Sequence, residues 1–136
     1  MCLTRLITDR EFPHEGTAYK VLLRTHDGIL APFEHTPMET GKWLQALTEP
    51  ERISEFGRGP EYRNGFHLYA EMPSEEALRE IYGHWHASSI LVEVRYRGVL
   101  AYGMSRTYIT ADEPTLVVRE IFIPEDLTPV GKPDDC

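Results

Sequence analysis

Residues 62–103 read YRNGFHLYAEMPSEEALREIYGHWHASSILVEVRYRGVLAYG, and this stretch decides the fold. Residues 64–70 have the length and residue types of a strand, with His67 at its centre. Pro73-Ser74-Glu75-Glu76 then opens a helix predicted over 74–82. Ser74 suits the N-cap, and the two glutamates complement the positive end of the helix dipole. Ala77, Leu78, Ile81 and Tyr82 make one apolar face at helical spacing, and Gly83 is a stop. Residues 90–97 alternate Val92, Val94 and Tyr96 against Glu93, Arg95 and Arg97, the period of a half-buried strand. Gly98 is expected to break it before a further strand at 99–102.

Working outward, residues 17–24 (TAYKVLLR) read as a strand with Tyr19, Val21 and Leu23 on one face. Asp27-Gly28 makes a turn, and residues 29–33 pair back as a second strand that Pro32 holds at an edge. Residues 36–60 carry a weak pattern broken by Gly41, Gly57, Gly59, Pro37, Pro50 and Pro60, with a short helix expected at 50–56. Residues 115–123 (TLVVREIFI) form the last strand, and Pro124 ends it. The expected fold is α+β: a mostly antiparallel sheet of five or six strands with one main helix packed on it. Residues 1–124 make a single domain, and 125–136 an acidic, proline-containing C-terminal extension.

A chain of 136 residues suffices for one domain with its own core. With 41% apolar and 26% charged residues it is globular rather than disordered. It holds no apolar run of about eighteen residues, so no membrane span is expected. MCLTRLITDREF lacks a secretory pattern, which argues for a cytoplasmic protein. Cys2 and Cys136 lie at opposite ends, and free thiols are expected there. The net charge of −8 disfavours nucleic acid as a partner, although Arg95, Arg97 and Arg106 make one basic stretch. It suits solubility or docking on a basic protein surface.

Two side chains break their local pattern. His67 points away from Phe66 and Leu68 and shares a face with Gly65 and Tyr69. It reads either as an acid, base or ligand contact, or as a structural histidine bonded within the fold. Glu120 sits between Val118 and Phe122 on one strand face. A carboxylate there is costly to bury unless paired, so it marks either a catalytic group or an ion pair with a neighbouring arginine. His84 and His86 flank Trp85 at a spacing that two metal ligands could use, but no further ligand pattern supports them, and no metal is expected. Neither Asp27-Gly28 nor Arg58-Gly59 forms a phosphate loop.

Met-Cys-Leu, Tyr-Lys-Val-Leu, Ala-Pro-Phe, Gly-Phe-His and the late Val-Arg-Glu-Ile-Phe-Ile resemble a family of small phage and bacterial proteins with no assigned activity. That resemblance implies a protein acting on host or defence machinery. The order strand, loop, Gly-aromatic strand, helix, Val-rich strand and final Glu-containing strand is also similar to the NAD-binding core of ADP-ribosyltransferases. In that family a His, a Tyr and a Glu hold NAD and orient the attack on its ribose. Arg24 or His26 stands nearest the first position, His67 takes the place of the Tyr, and Glu120 matches the Glu. The resemblance thus implies His67 and Glu120 as catalytic, with Arg24, His26 and Tyr69 contacting NAD or a related nucleotide. Two functions follow: an NAD-dependent ADP-ribosyltransferase-like domain, degenerate or active, or a non-enzymatic acidic protein that binds and inhibits a host or defence protein.

Overall fold

The computed structural model describes residues 3–26, 28–31, 37–46, 52–55, 58–85, 89–106 and 112–132. Nine strands are present among them: β1 Leu3–Leu6, β2 Glu15–Thr25, β3 Gly28–Leu30, β4 Trp43–Gln45, β5 Arg52–Glu55, β6 Arg58–Arg63, β7 Phe66–Tyr69, β8 Ser89–Arg106 and β9 Asp112–Phe122. Every pairing is antiparallel. Seven strands form one sheet, more than the five or six expected, and β5–β6 is a separate ribbon. The extra strands are β1 and β4, too short to show a period of two.

The long strand β8 organises the sheet. Its first half pairs with β2, from Ser89 opposite Leu23 to Arg97 opposite Glu15. Its second half pairs with β9 and, at its end, with β1. β9 also pairs with β7, and β7 meets β2 at Tyr69–Tyr19, so β8, β2, β7 and β9 close a circuit. Ala18, Leu22, Leu68, Val92, Val94, Leu116, Val118 and Ile121 fill its interior, all fully buried. Glu93 and Arg95 alternate out to solvent as the sequence pattern predicts.

Gly98 does not end the strand. It takes φ +77° and bends β8 while β9 continues alongside. A side chain there would be strained by that backbone and would meet Arg119 Cβ at 3.0 Å. The helix is shorter than expected: α1 covers Glu75–Arg79 and continues as a π-helical turn, Glu80–Trp85. Ser74 is its N-cap, accepting from the Ala77 amide while its own amide and hydroxyl donate to Glu113 on β9. The apolar face packs on the outside of the barrel, where Ile81 buries with Val21, Tyr69 and Leu91. Burying a side chain such as Ile81 contributes roughly 1.5–3 kcal/mol.

The helix expected at 50–56 is a strand where it is described, β5 pairing Arg52 with Arg63 and Ile53 with Tyr62. Local propensity there is weak, and cross-strand pairing overrides it. Beyond β9 the chain lies against the fold. The Val130 amide donates to Leu91 O, and the Tyr82 hydroxyl donates to Val130 O at 2.6 Å while accepting from the Leu91 amide. Residues 133–136, Cys2, Asp27, Phe56 and His86 lie outside the described residues, as does the side chain of His84.

Candidate functional site

His67 sits on β7 opposite Val117 of β9. Its Nδ1 lies 3.2 Å from Gly65 O, and its Nε2 lies 2.9 Å from the Tyr62 hydroxyl. A carbonyl oxygen only accepts, so Nδ1 carries the proton and Nε2 offers its lone pair. Tyr62 O–H therefore donates to Nε2, and the Tyr62 oxygen accepts from the Leu3 amide at 2.9 Å. The chain of bonds runs from β1 through Tyr62 to His67 and back to Gly65. Burial above all, with the Lys20 ammonium adding, pushes the His67 pKa down to about 3. The ring is neutral at pH 7, both nitrogens are engaged, and it is a poor base. Gly65 itself is held close to β9, since a Cβ there would run into Val118 O.

Glu120 belongs to a different neighbourhood. It follows Val117 by three residues on β9, a displacement of about 10 Å along a strand, where the flanking strands are β8 and β4. Arg97 grips it with two bonds, Nε to Oε2 at 2.6 Å and Nη2 to Oε1 at 3.1 Å, and Gln45 Nε2 donates to Oε1 at 3.1 Å. The Arg97 hydrogen bonds hold its carboxyl below the usual range and raise the guanidinium. Of the two readings open for Glu120, the ion pair accounts for its contacts.

The remaining candidates are scattered. Tyr69 is buried under the helix, and burial together with the Glu113 and Glu80 carboxylates raises its phenol. Arg24 is exposed and donates to Leu127 O at 2.6 Å, and His26 is exposed in the turn after β2. Among the described residues none of these three bonds His67 or Glu120, and no group of histidine, cysteine, aspartate and glutamate could hold a metal ion. No helix among them is long and apolar enough to cross a membrane.

The geometry joins Glu120 and the basic Arg95–Arg97 stretch to Trp43, Phe122 and Gln45, a grouping that no local spacing carries. Arg95, Phe122 and Trp43 stand in one row across β8, β9 and β4, and Arg97, Glu120 and Gln45 in the next. The Arg97 guanidinium lies 4.0 Å from the Trp43 ring centroid, and Arg95 lies 5.2 Å from Trp43 and 5.7 Å from Phe122. The Trp43 and Phe122 rings pack 5.7 Å apart, and both stay half-exposed. Two arginines over the rings, two aromatics and an amide make an amphipathic surface of the composition that interface centres favour. The Arg-x-Arg pair on the outward phase of β8 was the one local signal for it. No protein-family model, no curated protein and no solved structure matches the chain.

Proposed function

We propose that the protein is a non-enzymatic binding protein that captures a partner protein on the outer face of β4, β9 and β8. The carrying observation is the half-exposed Trp43–Phe122 pair under two arginine guanidinium groups. Tryptophan and arginine are the residues on which binding energy concentrates, and here both are held in place before a partner arrives. The resemblance to small phage and bacterial proteins directs the search for that partner to host and defence proteins.

The engagement of His67 and Glu120 also favours binding over catalysis. An ADP-ribosyl transfer reading asks His67 to contact a nucleotide and Glu120 to face its ribose. Each is already committed to bonds within the fold. The deciding experiment pairs affinity capture from host lysate with calorimetry on the purified partner, using wild type and Trp43→Ala. Capture that Trp43→Ala weakens at least about tenfold, the usual mark of a central interface residue, supports this reading. Capture indifferent to Trp43 and Arg97, or NAD binding accompanied by label transfer to a protein, overturns it.

A further inference from the structure

The edge of the sheet narrows the partner's chemistry, and the step rests on the binding reading above. β4 pairs with β9 on one side, and among the described residues no strand pairs with its other side. The Ala46 amide donates to Arg119 O. Antiparallel ladders alternate, so Leu44 shares the phase of Ala46, while the backbone groups of Trp43 and Gln45 point away from β9. They offer donors and acceptors in strand spacing along an edge that no described strand covers.

Charge is delivered to the same edge. Arg95 and Arg97 are rooted on β8, two strands inside, yet both guanidinium groups lie over the Trp43 ring on β4. They therefore stand about one strand interval, ~4.8 Å, from where an added strand would run. Arg97 is neutralised by Glu120. Arg95 is exposed and has no carboxylate within ion-pair distance among the described residues, although Glu93 lies two positions away on β8 and Glu15 and Glu120 lie diagonally across. Among the described residues Arg95 is the cation left over at the edge, beside an apolar ring.

We infer that β4 accepts an extended, acidic peptide segment of the partner, added as a strand, with a carboxylate reaching Arg95 and an apolar side chain packed against Trp43. Backbone pairing supplies affinity and the alternate side chains supply selectivity, as in other strand-addition modes. A nucleic-acid strand is the disfavoured occupant, because it has no peptide backbone to pair with the outward donors and acceptors of β4, and its regular phosphates call for several cations in a row where the described edge offers Arg95.

The probe is a short, end-capped, fluorescein-labelled peptide alternating glutamate and valine, measured by polarisation. Saturable binding is expected, with protection of the Trp43 and Gln45 amides from hydrogen exchange. Methylating alternate peptide nitrogens, which leaves the protein untouched, is expected to weaken it at least about tenfold by blocking strand pairing. Arg95→Glu is expected to weaken the glutamate peptide similarly and to gain a lysine–valine peptide instead. Arg95 is exposed, so this variant is expected to fold, and its melting temperature checks that. A Trp43-dependent partner found by capture, together with no binding of the glutamate–valine peptide, overturns this inference and leaves the binding reading standing. Unaltered binding after nitrogen methylation or Arg95→Glu overturns it, as does tighter binding of a thymidine oligonucleotide.

Discussion

The Tyr62 hydroxyl lies 2.9 Å from His67 Nε2 and 2.9 Å from the Leu3 amide, so one phenol joins the first strand of the sheet to the histidine of β7. Leu3, Tyr62 and Val117 bury together around this junction. The bond network makes His67 a fastener of β1 rather than a free acid or base.

Tyr62→Phe removes the hydroxyl and strands two polar groups at once, the Leu3 amide and the His67 lone pair. Leaving buried partners unsatisfied costs about 1–3 kcal/mol. Urea unfolding should show that loss, and amide exchange at Leu3–Leu6 should quicken more than in β2. Unchanged exchange in β1 would mean that the network does not hold the strand.

Acid should loosen the same junction. The unperturbed histidine titrates at 6.5, and the folded one holds its neutral form down to about 3. Above pH 6.5 neither state is protonated and the contribution is fully present. As pH falls between these values, the unfolded chain takes up a proton that the native state refuses, so stability falls, by at most about 1.4 kcal/mol per pH unit from this residue. His67→Gln should flatten that part of the profile. A carbon-bound ring-proton titration with a midpoint near 6.5 in the folded protein would contradict the network.

Glu120→Gln keeps the shape and removes the charge that Arg97 grips. The pair is part-buried on the outer face of the sheet and the glutamine keeps the contact shape, so the melting temperature should fall by about 5 °C or less. Partner capture should change more than stability, because Arg97 is released from its place over Trp43. A large destabilisation with unaltered capture would point to a purely structural pair.

Gly98→Ala must force a positive φ on an alanine and bring its Cβ to 3.0 Å from Arg119 Cβ. The expected cost is about 1–3 kcal/mol. Because Gly98 lies between Arg97 and the bulge at Val99–Ala101, the aromatic–arginine surface should loosen too. Fluorescence of Trp43 and melting curves together check this; intact stability would show that the bend is not imposed by Gly98.

Ser74→Ala deletes both the cap on the Ala77 amide and the hydroxyl that Glu113 accepts from. A loss of about 0.5–2 kcal/mol is expected in thermal or urea unfolding. A neutral result would show that the helix is held by its apolar face alone.

Local sequence determined what a short window can encode. The alternation at 90–97 needs only the period of a strand, and Val92, Val94 and Tyr96 are buried while Glu93 and Arg95 are not. Ser74 capped its helix because capping acts over three residues. The out-of-pattern residues His67 and Glu120 were legible as anomalies with two readings each, and choosing between the readings took partners elsewhere: Tyr62 and Leu3 for one, Arg97 and Gln45 for the other. Tertiary structure alone decided β1 and β4, strands of four and three residues that exist because β8 and β9 offer an edge. It turned the expected break at Gly98 into a bend, because β9 holds both halves of β8 in one ladder. It also put Trp43 beneath two arginines more than fifty positions away, an arrangement that depends on cross-strand register, which long-range pairing sets and local composition does not carry.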